Sequence, residues 1–245
     1  MRLTRSQFLN LPQKAVTLMG MSGVGKSYLS DKLAGRGWAR YGCDDEIAST
    51  FLTEALAGGV GDMATFLGKL GNPAKGGLDP DEFRRRQQLY MDGEMQSLKA
   101  ATQALQNTAR DFVIDSTGSL CEVEDETLLA DLGGRTLFVY IQASADEEAE
   151  VLRRAEQFPK PLYFPPAFLE ENLKRYIEEQ DLFGVQDIEP DAFSRWVFPH
   201  LFHARLPKYE RLARLYGVTI PSAALRDVTD EGAFIEAIAG ALDEA

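Results

Sequence analysis

Apolar residues gather in short runs at intervals along the chain, and their spacing predicts an alternation of strands and helices. Strand-like segments fall near residues 15–19, 38–41, 112–115, 136–142 and 217–220. Ala15-Val16-Thr17-Leu18-Met19 and Phe112-Val113-Ile114 are predominantly apolar rather than strictly alternating, as expected of strands buried on both faces of a parallel sheet. Helix-compatible stretches lie between most of these segments. The one from 79 to 107 places Phe83, Tyr90, Met91, Met95, Leu98 and Leu105 near one helical face and opens on Asp79-Pro80, a cap followed by a first-turn proline. The pattern predicts an α/β chain with a central parallel sheet flanked by helices.

Two regions interrupt this frame within an expected single domain, 1–245. Residues 57–79 carry seven glycines, which predicts a mobile excursion on the substrate side. Residues 158–203 combine Pro159, Pro161, Pro165, Pro166, Pro190 and Pro199 with many aromatics, a composition that suits a lid or a small packed helical insertion.

Composition narrows the function classes. The formal net charge of −12 disfavours a broad nucleic-acid footprint or an anionic membrane surface, and points to a small-molecule acceptor. Only two cysteines are present, no run is long and apolar enough for a membrane span, and nothing near Met1 has the form of a leader. The expectation is a cytoplasmic protein without structural disulfides.

The chemistry concentrates in Gly20-Met21-Ser22-Gly23-Val24-Gly25-Lys26-Ser27, which has the GxxxxGK[ST] spacing of a phosphate loop between a strand and a helix. Amides of Gly20, Ser22, Gly23, Val24 and Gly25 are expected to surround nucleotide phosphates. Lys26 would reach the β- and γ-phosphates, and Ser27 would ligate Mg²⁺. A second Mg²⁺ anchor is expected at the end of an apolar strand, where Asp115 stands, followed by the small-residue turn Ser116-Thr117-Gly118-Ser119. Asp44 and Asp45, after the strand near 38–41, are candidates to orient a hydroxyl and take its proton.

Arg84, Arg85 and Arg86 spread over about 200° of a helix, so one or two of them can face a ligand, or all can be a solvated face. Arg153 and Arg154 pose the same choice near a nucleotide. His200 and His203 have no completing metal ligands nearby and read as packing or surface residues.

Taken together, these motifs resemble the shikimate kinase family of small P-loop kinases, in the same order over most of the chain. Tyr41-Gly42-Cys43-Asp44-Asp45 looks like the family's aromatic-x-Asp-x-Asp segment, with Asp45 at the catalytic aspartate and Cys43 replacing the first. Glu82-Phe83-Arg84 resembles its carboxylate-gripping segment, although a Glu three residues on is Gln87 here. Arg153, and Lys160-Pro161-Leu162 in place of Arg-Pro-Leu, look like its adenine-side arginine and lid motif. Arg205-Leu206-Pro207-Lys208-Tyr209 is similar to its Arg-x-Pro-x-Tyr helix start, with a second substrate-gripping arginine. Where the family has three glycines against its substrate ring, this chain has Ser116, Thr117 and Gly118, whose side chains are expected to take up substrate space.

The resemblance implies a P-loop NTPase fold with an inserted helical lid and an ATP- and Mg²⁺-dependent kinase. Lys26, Asp45 and Lys160 would be catalytic; Asp45, Arg84, Gly118 and Arg205 would bind a small, carboxylate-bearing alcohol. Arg153 would contact the nucleotide, and Ser27 and Asp115 the metal. Two other readings stay open: a nucleotide-dependent switch or ATPase acting with a protein partner, and a nucleic-acid end kinase using Arg84, Arg85 and Arg86.

Overall fold

The computed structural model describes residues 3–52, 63–226, 228 and 230–243. Five strands, β1 (Ala15–Met19), β2 (Ala39–Gly42), β3 (Phe112–Asp115), β4 (Leu137–Gln142) and β5 (Gly217–Pro221), form one sheet in the order β2-β3-β1-β4-β5. All four pairings are parallel. Every residue of β1 is buried, which explains why it carries an apolar run instead of an alternating one. Because β3 and β4 flank β1 on opposite sides, the strand order switches at the carboxyl end of β1, where doubly wound sheets open a crevice. Register sets Leu18 and Gly42 on either side of Asp115 at that end.

The chain divides into two compact units. The first comprises Met1–Glu46, Glu94–Glu148 and Leu206–Ala245 and holds the whole sheet. Its core joins Val16, Leu18, Val139 and Ile220 of the strands to Leu29 and Leu33 of the helix after β1 and to Phe234 and Ile238 of the helix Glu231–Asp243. Trp38 meets Phe234 edge to face at 5.9 Å. Each of these large side chains contributes roughly 1.5–3 kcal/mol on burial, so the sheet is a firm platform for the loops at its carboxyl edge. Cys43 and Cys121 are both buried and form no disulfide.

The second unit comprises Ile47–Gly93 and Ala149–Arg205. Its core includes Leu70, Phe83, Phe164, Leu173, Phe193 and Val197. The helix Pro166–Glu179 has proline in its first turn and buries Leu169, Asn172, Leu173 and Tyr176, one face at helical spacing. Tyr176 meets Phe193 edge to face at 5.2 Å. Residues 158–203 therefore supply much of a packed core.

Residues 63–79 are more ordered than their glycine content suggests. The helix Met63–Leu67 buries Phe66 and Leu67, Leu70 is buried, and Leu70 bridges Leu78. A Cβ at Gly77 would lie 2.5 Å from the Gly71 carbonyl carbon, so glycine there permits backbone to pack on backbone. Residues 57–62, the first part of the excursion expected over 57–79, lie outside the described residues.

A second correction concerns Arg205-Leu206-Pro207-Lys208-Tyr209. The sequence resemblance makes it a helix start, but the helix runs unbroken over Pro190–Tyr216 and holds this segment in its interior. Pro199 and Pro207 each remove a backbone donor within it.

Candidate active site

The crevice at the carboxyl end of β1 is built by the phosphate loop. Beyond Met19 the backbone enters positive φ at Gly20 (145°), Gly23 (92°) and Gly25 (97°), which only glycine adopts without strain. A Cβ at Gly20 would also lie 2.9 Å from the Ile141 carbonyl oxygen. Gly25 caps the helix Lys26–Ala34 in left-handed geometry, with no side-chain hydrogen bond to the first-turn amides. Those amides and the helix dipole make this end an anion site. Lys26 is buried, and its Nζ donates to the carbonyls of Gly20 (2.8 Å) and Met21 (3.1 Å), spanning the loop it serves. Ser22, Gly23, Gly25 and Ser27 are exposed, and Val24 is half-buried. The turn after β3 comes up against the loop, because a Cβ at Gly118 would be 3.6 Å from the Ser22 amide nitrogen.

The carboxylates differ in their partners in a way the sequence does not reveal. Asp115 is buried at the end of β3, and its Oδ2 accepts from Ser30 Oγ (3.2 Å) and Arg40 Nη2 (3.0 Å). Arg40 also donates through Nε to Ser30 Oγ (3.0 Å), pairs with Asp31 (3.1 Å) and donates through Nη1 to Asp45 (3.1 Å). Burial lowers the Arg40 pKa, but the Asp45 hydrogen bond and the charges of Asp115 and Asp31 more than reverse this and leave it raised. Asp45 is thus turned toward Arg40.

Asp44 is the carboxylate in the field of Lys26. It is an exposed residue by area, yet its carboxyl is crowded enough that desolvation raises its pKa; Lys26 opposes the rise, and Asp115 and Asp45 add to it. The net direction is upward.

Ser116 and Thr117 turn inward instead of occupying the crevice. Ser116 Oγ donates to the Leu18 carbonyl (2.6 Å), while the Thr117 and Ser119 hydroxyls donate to the two carboxyl oxygens of Glu94, which is fully buried. Tyr209 donates to the Gly118 carbonyl and stacks on Tyr140 at 5.3 Å. The turn beside the phosphate loop is therefore held from beneath by a buried acid and from the side by a tyrosine.

Arg84, Arg153, Lys160 and Arg205 belong to the second unit. Arg84 is half exposed, pairs with Asp81 (3.3 Å), and stands with Gln87, Tyr163, Phe164 and Glu170 around a cavity of about 340 Å³. Arg85 and Arg86 both pair with Glu82, and Arg86 also donates to the Phe66 carbonyl (2.9 Å). Arg153 is exposed and bidentate to Glu150 (2.7 and 2.8 Å); Lys160 is exposed. Arg205 is buried and donates to the Tyr163 carbonyl (2.9 Å). Gln87 donates to the Leu162 carbonyl (3.2 Å) and accepts from the Phe164 amide (2.7 Å). His200 contacts Arg175 Nη2 at 2.6 Å and Trp196 face to edge; burial and then Arg175 lower its pKa, in keeping with the packing role expected of it.

Arg40 and Glu94 are the residues the sequence does not single out. Arg40 follows one buried β2 position and precedes another, and an arginine there is the one detectable signal. Glu94 sits in a helix rich in charged and amide residues and carries none.

Ser27, Asp44 and Asp115 offer hydroxyl and carboxylate oxygens, the hard donors that suit Mg²⁺. Among the described residues no three His, Cys, Asp or Glu side chains form a metal cage of their own. That donor set fits an ion that shares its coordination with nucleotide phosphates and water.

A parallel sheet of order β2-β3-β1-β4-β5 with a glycine loop and lysine between β1 and the next helix defines a P-loop nucleotide-binding fold. Neither a family model nor a curated protein matches the sequence. Among solved structures it is similar to shikimate kinase from Acinetobacter baumannii in complex with shikimate, at 17% identity, covering 95% of this chain and 92% of that one, with a TM-score of 0.42. Shikimate kinase from Bacteroides thetaiotaomicron is similar at 15% identity, 94% and 97% coverage and a TM-score of 0.45. A gluconokinase from Sinorhizobium meliloti is similar at 16% identity, 82% and 94% coverage and a TM-score of 0.32. Among the described residues no helix is long and apolar enough to cross a membrane.

Proposed function

We propose that the protein is an ATP-dependent small-molecule kinase that transfers the γ-phosphoryl group to a hydroxyl of a small acceptor bearing a carboxylate. The observation that carries this reading is the grouping of Lys26, Asp44 and Asp115 at the carboxyl end of β1, with Lys26 and Asp115 both in the field of Asp44. Lys26 and the loop amides neutralise charge on the transferring group, an interaction that strengthens as the leaving oxygen gains charge. Bound at Ser27 and Asp115, Mg²⁺ would screen phosphate charge. Asp44 orients the acceptor hydroxyl and takes its proton, because its carboxyl is uncommitted to Arg40 and its pKa is raised. The sequence resemblance gives that role to Asp45; the Arg40 pair is what favours Asp44.

For the acceptor's carboxylate we assign Arg84, whose planar fork can exchange its exposed Asp81 partner for a ligand at little cost. Arg205 is assigned to the same group through the family motif, and Arg153 and Lys160 to the nucleotide.

The test is ADP release from the wild-type protein, scanned over hydroxylated carboxylic acids and sugars with shikimate among them. Release that requires an acceptor and falls by about 10³ in Lys26→Ala is the expected result. Unchanged ATP consumption in the Lys26→Ala protein overturns the mechanism. Hydrolysis that ignores every acceptor and rises with a protein partner assigns the site to a nucleotide switch instead.

A further inference from the structure

Arg40 occupies an unusual place for a cation. Its guanidinium lies over Gly42 and reaches the one buried carboxylate at the carboxyl end of β3, within 3.0 Å of Asp115. Two further carboxylates, Asp31 and Asp45, and the buried Ser30 hydroxyl complete its shell. The backbone is shaped for this. A Cβ at Gly42 would lie 2.9 Å from Arg40 Nη1, 3.3 Å from Arg40 Cζ and 2.5 Å from Asp45 Oδ2, so the missing side chain is the space that the pair fills. Gly42 does not have the positive φ that would demand glycine for conformational reasons. What glycine provides at 42 is room.

We propose that Arg40 is a resident cation of the phosphate crevice that competes with a divalent metal for Asp115 and so keeps metal affinity low until nucleotide arrives. The inference rests on the reading of this crevice as a nucleotide site. Asp115 is the acid placed to anchor a metal, and a metal that takes it must share or displace a guanidinium already bonded to Oδ2. Around Arg40 and Asp115 stand the carboxylates of Asp31 and Asp45, with Asp44 and Lys26 in the same field. Taking Arg40 away leaves four acids around one lysine and draws a cation in; it also repels a bare polyphosphate. With Arg40 in place the order reverses, so metal enters with the nucleotide, whose own phosphate oxygens complete its shell.

The experiment is Mn²⁺ binding to the full-length protein without nucleotide, read from the electron paramagnetic resonance signal of free Mn²⁺. Arg40→Gln is expected to bind Mn²⁺ about tenfold more tightly than wild type, the effect of removing one unit charge close to the ion under strong screening. Adding Asp115→Asn to Arg40→Gln should abolish the gain. Gly42→Ala keeps the arginine but crowds its guanidinium, and should tighten Mn²⁺ in the same direction by a smaller factor; it carries the test if Arg40→Gln does not fold. Mn²⁺ affinity that is unchanged or weaker in the folded variants overturns the proposal. ATP and ADP titrations of wild type run alongside: a protein that binds neither overturns the kinase reading, while the Mn²⁺ comparison still decides the role of Arg40.

Discussion

Several charged side chains of the two units are held in opposite ways, although Arg135–Asp131 in the first and Lys69–Asp191 in the second run the other way. In the first, partners come from far along the chain: Arg40 and Asp115 are 75 residues apart, Ser30 and Asp115 are 85 apart, and Lys208 pairs with Glu122 across 86. In the second, Arg84, Arg85, Arg153 and Arg175 each pair with a carboxylate three or four residues away on the same helix. A long-range pair exists only once the sheet has formed, so its geometry is fixed by the fold and its acids are partly or wholly withdrawn from water. A pair within one helical turn forms even in an isolated helix, stays solvated and contributes little. On the function proposed above, the first arrangement would suit groups that hold a reacting phosphate in place, and the second would leave arginines able to trade partners with an anionic ligand.

Three substitutions probe that contrast through denaturant midpoints. Glu94→Gln should have the largest effect, about 2 kcal/mol, because a buried amide cannot accept from both Thr117 and Ser119 and leaves one hydroxyl unsatisfied. Glu147 comes next. Its carboxyl is held down to about 2, first by the Ser222 hydroxyl, then by the Ser144 amide and Arg226. A depressed pKa contributes stability above the unfolded value of 4.5 that is lost as pH falls toward about 2. Glu147→Gln should therefore lower stability at neutral pH by about 1 kcal/mol, after allowance for solvent screening, and flatten the profile in that acid window. Arg85→Ala should cost only a few tenths of a kcal/mol. An Arg85→Ala loss as large as that of Glu94→Gln would erase the distinction between the two units.

The sheet was legible because buried parallel strands announce themselves as apolar runs: the segment near 112–115 is β3, and the one near 15–19 is β1. The phosphate loop was legible because its glycines and lysine act within eight consecutive residues. The pairing of Asp45 with Arg40 was not, since the reach of Arg40 across Gly42 depends on the strand register. Nor was the packing of residues 63–79, because glycine marks both mobile chain and close backbone approach, and only the neighbours tell which. The family resemblance makes Arg205-Leu206-Pro207-Lys208-Tyr209 a helix start, whereas the helix runs through it from Pro190 to Tyr216.

The Gln87 amide has the donor and acceptor of a peptide bond, and it uses them as one, giving to the Leu162 carbonyl and taking from the Phe164 amide, while Arg205 takes the Tyr163 carbonyl between them. Two helices of the second unit thus grip three consecutive residues through their main chain, as a peptide-binding protein grips an extended ligand, while Tyr90 stacks on Tyr163 and Phe83 packs against Phe164. A glutamate at 87 would present two acceptors to a carbonyl and an amide, and half of that recognition would become repulsion.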